Sequence, residues 1–317
     1  MKVLVTGADG FVGRHLVRLL LQAGDDVIAA CRPGGAPVDW QGEAPAACHI
    51  SQVPLELTED ASVRAAVGSA PDAVVHLAAL ASGQEARRDP GAAWTINAAG
   101  TARLLAAIVE LRESGRADPL VLVVSTGEVY GRGQAILRVE TDPLLPQSPY
   151  AASKVGAEVA SLEGWRRAGV RVTIARPFAH TGPGQAPQYV VPTFVRRLLQ
   201  ARAAGETTVP TGNLQPVRDL LDVRDVVTAY RGLLLHGRPG EAYNVARGEG
   251  LGLADLFRRL AAMIGVRAHP EPDATLTRPA DIPHLVGDWS KLGRATGWAP
   301  SISLEQTLRG VVDAEAD

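Results

Sequence analysis

Short apolar runs alternate with longer amphipathic segments through the first half of the chain. The short runs predict buried strands, and the segments with apolar residues at helical spacing predict helices. Uninterrupted apolar strands separated by helices are typical of a parallel sheet covered on both faces, so we predict a doubly wound α/β fold. The predicted strands are 3–5, 26–30, 53–57, 73–77, 120–125 and 170–175, and the predicted helices are 12–21, 60–67, 90–113 and 150–168.

The pattern changes after about residue 177. Proline and glycine cluster over 177–187, and the later strands are weak and scattered among arginine-rich loops. This predicts a smaller, mixed α/β lobe that binds substrate. A strand-to-helix pattern over 222–235 predicts that the chain returns to the first domain. We therefore expect a first domain over 1–176 with a return segment at 220–245, and a substrate lobe mainly over 177–317.

The composition bears on which partners the protein can bind and on the cellular compartment in which it is expected. The 317 residues are 46% hydrophobic and carry a net charge of −2, so no overall basic field attracts nucleic acid or an anionic membrane. Cys31 and Cys48 make neither a disulfide framework nor a metal-ligand pattern, and we predict no metal. No signal-peptide core and no run of 18 apolar residues are found. The expectation is a cytoplasmic protein.

Three glycines, Gly7, Gly10 and Gly13, follow the first strand and open the first helix. In this context a glycine permits a tight turn and a close approach of the backbone to a pyrophosphate. The N–H groups at the helix start, which includes Phe11 and Val12, can bind phosphate. The sequence therefore predicts a Rossmann dinucleotide-binding site here.

The end of the second strand bears on the choice of dinucleotide. It has no carboxylate to accept the ribose hydroxyls of NAD, and Arg32 follows, where it can pair with a 2′-phosphate. This favours NADP, with NAD possible, although Arg32 stacking on adenine or facing solvent stays open. Glu56 is a candidate acceptor for the adenine amino group or else an ordinary exposed glutamate.

Tyr150 and Lys154 are four residues apart at a predicted helix start and so share a face. Ser125 and Thr126 end a strand at the carboxyl edge of the sheet, where ligands bind in open α/β folds. A phenol can exchange a proton with a sugar ketone or alcohol, and we expect the Lys154 ammonium to lower its pKa. The Thr126 hydroxyl can orient the reacting oxygen.

Together these motifs resemble the extended short-chain dehydrogenases/reductases. The resemblance rests on the glycine turn, 76–79, Asn97 with Gly100 and Thr101, 125–131, and Tyr150 with Lys154. It implies a structural asparagine at Asn97, and we prefer a structural role for His76 as well. The candidate cofactor-binding set is Gly7, Gly10, Phe11, Val12, Gly13, Arg32, Glu56, Leu57, Leu77, Ala78, Ala79, Tyr150, Lys154, Pro177 and His180.

Four stretches of the second half are similar to the GDP-4-keto-6-deoxy-mannose reductases of this family. They lie at 176–185, 212–225, 278–283 and 287–298, and they contain arginines suited to a diphosphate. A solvated or structural ion pair is the alternative for each arginine. Ala179 departs from the asparagine of that group. The candidate substrate-binding residues are Ser125, Glu128, Phe178, His180, Arg218, Arg278 and Asp281.

The predicted activity is therefore NADPH-dependent reduction of the C4 ketone of a GDP-4-keto-6-deoxyhexose to a GDP-6-deoxyhexose of the GDP-D-rhamnose type. Thr126, Tyr150 and Lys154 are the predicted catalytic residues. A GDP-mannose 4,6-dehydratase with Glu128 as base, or an epimerase, is the enzymatic alternative. A redox-sensing dinucleotide-binding regulator is the non-enzymatic one. The alanine-rich helices 90–113 and 150–168 predict a homodimer, with intrachain packing as the alternative.

Overall fold

The computed structural model describes residues 1–35, 38, 40, 48–276 and 282–316. In these residues the strands are β1 (Lys2–Thr6), β2 (Asp26–Cys31), β3 (Ile50–Pro54), β4 (Ala73–His76), β5 (Leu120–Val124), β6 (Arg171–Pro177), β7 (His180–Thr181), β8 (Thr208–Thr211), β9 (Val217–Asp219), β10 (Leu221–Asp222), β11 (Ala242–Val245), β12 (Gly250–Gly252), β13 (His269–Pro272) and β14 (His284–Leu285). The helices are α1 (Phe11–Gln22), α2 (Asp60–Val67), α3 (Gly83–Arg88), α4 (Pro90–Ala93), α5 (Gly100–Glu113), α6 (Pro149–Ala168), α7 (Val190–Ala204), α8 (Val223–His236), α9 (Leu253–Ile264), α10 (Ser290–Thr296) and α11 (Leu304–Ala316).

A seven-stranded sheet consists of the first six strands of the chain and of β11 from its second half. Its strand order is β3-β2-β1-β4-β5-β6-β11, and every neighbouring pair is parallel. The order runs outward in both directions from β1, which is the doubly wound topology of a Rossmann fold. The predicted fold class is confirmed.

Two apolar layers cover the two faces of this sheet. Alternate residues of β1 point to opposite faces, so Val3 packs with α1 and α8 while Leu4 packs with α2 and α5. Leu20 and Tyr230 belong to the first layer, and both are fully buried. Because the strands are buried on both faces, they consist of nearly continuous apolar residues.

The smaller lobe has its own core. Helices α7, α9 and α11 pack together around Phe194, Phe257 and Leu308. The two phenylalanine rings meet edge to face, with centroids 5.5 Å apart. Short strands complete the lobe: β9 pairs with β12 and β14, and β8 pairs with β13. This is the mixed α/β character expected of the second half.

The chain crosses between the two cores more than once. β11 pairs with β6 at the edge of the large sheet, and α8 packs against α1. The Asp225 carboxylate of α8 in turn accepts hydrogen bonds from the backbone N–H groups of Ser301 and Ile302. The proposed division at residue 176 with a return segment at 220–245 stays a prediction.

Most predicted elements have bounds within two residues of the observed ones, and two differ more. The third strand spans Ile50–Pro54 instead of 53–57, which leaves Glu56 and Leu57 beyond its end. The helix predicted over 90–113 is continuous but contains a π-helical stretch at Trp94–Ala99. In the described residues, Pro90–Glu113 is also the one helix long and apolar enough to cross a membrane, which is weak evidence because buried core helices pass the same test.

Candidate active site

The glycine turn between β1 and α1 is shaped for a close ligand. Gly7 has a φ of +68°, and a Cβ on it would lie 3.0 Å from the backbone of Ala78. A Cβ on Gly13 would lie 2.2 Å from the Gly7 carbonyl oxygen, so a side chain there would separate helix and strand. Gly10 caps α1 without a side-chain hydrogen bond, and the first N–H groups of the helix face the cleft. These residues fit a dinucleotide pyrophosphate.

A buried hydrogen-bond chain positions Ala78 against this turn. The Ala78 N–H donates to Thr6 Oγ1, which lies 2.8 Å from His76 Nδ1. On its other side His76 Nε2 lies 3.1 Å from Thr101 Oγ1, whose hydroxyl donates to the Asn97 carbonyl. Thr101 must therefore accept from Nε2–H, and Nδ1 must accept from Thr6. Burial lowers the pKa of His76 to about 3, so the ring stays neutral. His76 is structural, as expected.

Asn97 joins the loop after β4 to helix α6. Its Oδ1 accepts from the Leu80 N–H at 2.8 Å, and its Nδ2 donates to the Leu80 carbonyl and to Ser153 Oγ. Asn97 lies in the π-helical stretch, and such stretches are frequent at functional sites. The side chain is buried, and it fixes the distance between the cofactor side of the cleft and α6.

Thr126, Tyr150 and Lys154 meet at the carboxyl ends of β5 and β6. Ser148 caps α6 by accepting from the Ala151 N–H, and this places Tyr150 in the first turn of the helix. The side chains of Tyr150 and Thr126 are close enough for Thr126 to influence the Tyr150 pKa, and both residues line the cleft. One turn later, Lys154 Nζ donates to the Val124 carbonyl at 2.8 Å. The predicted catalytic residues are thus brought together.

The electrostatics of Tyr150 differ from the expectation. Burial, followed by the negative charge of Glu128, raises the pKa of Tyr150 above its ordinary value, and the hydrogen bond from Thr126 only partly opposes this. The expectation that Lys154 lowers this pKa is wrong for this structure, because desolvation of the phenolate dominates. Burial lowers the pKa of Lys154 to about 8. Tyr150 therefore holds its proton at neutral pH.

Ser125 lines the cleft, and its hydroxyl has a partner within the protein. Its hydroxyl donates to Glu158 Oε1 at 2.5 Å, and the residue is 2% exposed. Glu158 forms a buried ion pair with Arg176, which also donates to the hydroxyl of Tyr130. The Ser125 side chain thus supports the strand ends from within, and its predicted contact with a substrate stays a prediction. The sequence contains no local signal for this pairing of Glu158 with Arg176.

One continuous cleft of about 1660 Å³ joins the glycine turn, Tyr150 and the smaller lobe. At its first end Arg32 is exposed, and its positive charge contributes to lowering the pKa of Glu56. The larger causes of that shift are hydrogen bonds that Glu56 accepts from the backbone and hydroxyl of Thr58. The predicted cofactor-binding residues along the cleft wall are Gly7, Gly10, Phe11, Val12, Gly13, Arg32, Glu56, Leu57, Leu77, Ala78, Ala79, Tyr150, Pro177 and His180.

His180 lies between the cofactor and substrate sides of the cleft. Its ring stacks on Phe11 with centroids 6.2 Å apart, and Nδ1 lies 2.9 Å from the Phe178 carbonyl oxygen. A carbonyl only accepts, so Nδ1 carries the proton. Burial lowers the pKa of His180, and the neutral ring presents Nε2 as an acceptor. The Phe178 ring packs against Gly127 and Gly287, so it mainly shapes the floor of the site.

The far end of the cleft lies in the smaller lobe. Arg218 on β9 lines it and donates to the carbonyls of Val217 and Ile282. Ala179 also lines the cleft, as does the exposed Glu128, which follows β5 of the large sheet. The predicted residues Arg278 and Asp281 lie outside the described part of the chain. Residues that the sequence reasoning missed also line this end: Tyr189, Arg196, Arg197, Gln200 and Asn213.

Comparisons with known proteins agree with this architecture. Residues 4–311 match the family model described as GDP-mannose 4,6 dehydratase. GDP-6-deoxy-D-mannose reductase of Pseudomonas aeruginosa is 33% identical, over 98% of this chain and 96% of that protein. GDP-6-deoxy-D-talose 4-dehydrogenase of Aggregatibacter actinomycetemcomitans is 29% identical, over 94% and 92% of the two chains.

Solved structures superpose over almost the full length. RMD from Pseudomonas aeruginosa, complexed with NADPH, has a TM-score of 0.82 at 33% identity, covering 99% of this chain and 98% of its own. UDP-glucose 4-epimerase from Thermus thermophilus, complexed with NAD, has a TM-score of 0.85 at 30% identity, covering 100% and 99%. With a family match from residue 4 to 311 and a relative 33% identical over nearly the whole chain, this protein belongs to the GDP-mannose 4,6-dehydratase family of short-chain dehydrogenases/reductases.

Proposed function

We propose that the protein is a reductase that converts the C4 ketone of a GDP-4-keto-6-deoxyhexose to the alcohol of a GDP-6-deoxyhexose, with NADPH as the reductant. The observation that carries the chemistry is that Thr126 and Tyr150 line the same cleft as the glycine turn, with Thr126 close enough to influence the Tyr150 pKa. The choice of substrate is supported by two relatives, one named a GDP-6-deoxy-D-mannose reductase and one a GDP-6-deoxy-D-talose 4-dehydrogenase. Both names describe redox chemistry on GDP-6-deoxyhexoses.

The residues of the glycine turn and the adjoining cleft wall are suited to bind a nicotinamide dinucleotide. The glycine turn and the start of α1 would hold the pyrophosphate, with Ala78 and Leu77 opposite. Pro177 and His180 line the cleft farther in, toward Tyr150. When bound, NADPH supplies the hydride that reduces the ketone carbon.

The chain's own residues supply position and a proton. The Thr126 and Tyr150 hydroxyls would hold the ketone oxygen in one orientation. Because burial raises the pKa of Tyr150, its phenol carries a proton at neutral pH and can donate it to the oxygen as negative charge develops there. Lys154, fixed by its hydrogen bond to the Val124 carbonyl, would hold the ribose of the dinucleotide.

The phosphates of the sugar nucleotide require cations on the substrate side. Arg218 lines that end of the cleft, together with Arg196 and Arg197 at the side of α7. Arginine can bind a diphosphate with two hydrogen bonds at once, so these side chains are suited to a GDP-linked sugar. Arg278 and Asp281 stay predictions for this end, as does the cytoplasm for the compartment.

A GDP-mannose 4,6-dehydratase is the second candidate. The observation in its favour is Glu128, which is exposed, lines the cleft and is close enough to Tyr150 to raise its pKa. A carboxylate there could remove the C5 proton during elimination of water. A panel of GDP-linked sugars and 4-keto sugars, incubated with NADPH or NADH and followed by product identification, tests both proposals.

We also propose a homodimer formed by α6 and the helix over Pro90–Glu113. Trp94 is 47% exposed and Val159 is 63% exposed on this side of the molecule. They border an apolar groove of about 510 Å³ that is completed by Ala98, Val155 and Gly156. Exposed apolar surface of this kind favours contact with a second apolar surface, and a second copy presents the same face.

A further inference from the structure

The end of β2 is where Rossmann sites distinguish NAD from NADP. A carboxylate there accepts hydrogen bonds from the ribose hydroxyls of NAD, whereas an arginine accommodates the 2′-phosphate of NADP. β2 ends at Cys31 and is followed by Arg32, so the strand itself contributes the arginine and no carboxylate.

The structure brings a carboxylate to this position from another element. Asp9 belongs to the glycine turn, between Gly7 and Gly10, and is half-buried in the cleft wall. Its Oδ2 lies 3.5 Å from the point that a Cβ on Gly35 would occupy. Gly35 is held there because its N–H donates to the Arg32 carbonyl at 3.3 Å. The Asp9 carboxylate therefore lies beside the segment that follows β2.

Cys31 gives an independent indication of the same placement. Burial raises the pKa of the Cys31 thiol, and the negative charge of Asp9 is the next cause. Asp9 is thus close enough to the last residue of β2 for its charge to act on it, and Arg32 is exposed directly after that residue.

We propose that Asp9 is a specificity-determining residue of the dinucleotide site. Its carboxylate disfavours binding of the 2′-phosphate of NADPH and favours binding of the ribose hydroxyls of NADH. Arg32 acts in the opposite direction, so that the pair allows both NADPH and NADH to bind. The proposal rests on the proposed function only in requiring that a nicotinamide dinucleotide occupies this cleft. A carboxylate repels a phosphate dianion and accepts from a hydroxyl, whereas an arginine attracts the phosphate.

The test is a pair of binding titrations without any sugar substrate. The dissociation constants of NADPH and NADH are measured by calorimetry for the wild-type protein, Asp9→Asn and Arg32→Ala. Asp9→Asn is nearly isosteric and removes only the charge. We expect the ratio Kd(NADH)/Kd(NADPH) to rise about tenfold in Asp9→Asn and to fall about tenfold in Arg32→Ala, as for one hydrogen bond to a charged group.

Two further variants make the result decisive. Asp313→Asn removes one exposed carboxylate from α11, outside the cleft lining, and should leave the ratio unchanged. Asp9→Ser removes the same charge with a different side chain. It provides a second test in case Asp9→Asn does not fold, which circular dichroism would show. An unchanged ratio in folded Asp9→Asn or Asp9→Ser overturns the proposal for Asp9 alone. A wild-type protein that binds neither dinucleotide would overturn the proposed function as well.

Discussion

Tyr150 is the residue on which the proposed proton transfer depends. Its side chain lies near Thr126, and its raised pKa keeps it protonated where the ketone would bind. Tyr150→Phe removes the proton donor and keeps the ring, so we expect kcat to fall on the order of 10²–10⁴-fold with dinucleotide affinity nearly unchanged. Steady-state kinetics and cofactor titration measure the two quantities.

The matched control for this variant is Tyr243→Phe. Tyr243 is a buried tyrosine on β11 outside the cleft lining, and its hydroxyl accepts from the Arg238 N–H. Losing that phenol should cost some stability and leave kcat unchanged. Near-normal turnover of Tyr150→Phe would remove Tyr150 from the mechanism.

Lys154 introduces a pH dependence at the same site. Burial lowers the pKa of Lys154 to about 8 from its ordinary value near 10.5, so the ammonium loses its proton as the pH rises through about 8. If the charged form holds the dinucleotide ribose, affinity for the dinucleotide should weaken above that pH. The arginine of Lys154→Arg stays protonated over this whole pH range. The affinity of this variant for the dinucleotide, even if weaker than that of the wild type, should therefore not fall near pH 8. Titrations between pH 6 and about 9.5 make the comparison; a step of equal size in both proteins would contradict the role of Lys154.

Helix α6 buries several polar side chains and exposes apolar ones. Its buried face contains Lys154, Glu158 and Ser161, whereas Val159 is 63% exposed on the outside. The buried polar groups are explained by the active site and by the Arg176 ion pair. The exposed apolar side has no such explanation within one copy of the chain, which supports its role in the dimer.

The dimer can be tested on this face of α6. Val159→Glu places a charge on the apolar surface of each copy, and the two-fold relation brings both charges into one interface. We expect the molar mass from analytical ultracentrifugation to change from that of a dimer to that of a monomer. Leu235→Glu, which makes the same kind of change at a 45% exposed position on α8, should leave the mass unchanged. A wild-type monomer, or a dimeric Val159→Glu protein, would contradict the proposal.

Elements with strong periodicity were predictable, and edge elements were not. The helix Asp60–Val67 has the predicted bounds, because its apolar side faces one core layer. The strand at Ile50–Pro54 was placed three residues too late, because it lies at the edge of the sheet and its side chains are largely exposed. A continuous apolar run therefore did not mark its start.

Site residues were predictable from the sequence where they directly follow a strand or begin a helix. Gly7, Thr126 and Tyr150 each stand at the end of a strand or the start of a helix, and parallel topology brings such positions to one edge. The place of Asp9 beside β2 and the engagement of Ser125 with Glu158 depend on tertiary contacts between distant segments. No spacing in the sequence encodes these contacts, so only the structure reveals them.

At the scale of the whole molecule, the two lobes share one cleft. The glycine turn belongs to the large sheet and Arg218 to the smaller lobe, yet both line the same space of about 1660 Å³, with Tyr150 between them. A dinucleotide and a sugar nucleotide can therefore approach Tyr150 from opposite ends. This arrangement suits a reductase and a dehydratase equally, so the two must be separated by their overall reactions.

The distinction lies in what happens to the cofactor. A reductase consumes one NADPH for each product, whereas a dehydratase returns the hydride to its own substrate and leaves the cofactor unchanged overall. We expect stoichiometric loss of NADPH absorbance with a GDP-4-keto-6-deoxyhexose, and no elimination of water from GDP-mannose. Ketone reduction needs no base for the C5 proton, so Glu128→Gln, which neutralises a cleft carboxylate near Tyr150, should keep substantial reductase activity. Removing this negative charge also takes away one cause of the raised Tyr150 pKa, which would make the phenol a slightly stronger acid. Dehydration of GDP-mannose without net cofactor change, abolished by Glu128→Gln, would instead establish the dehydratase.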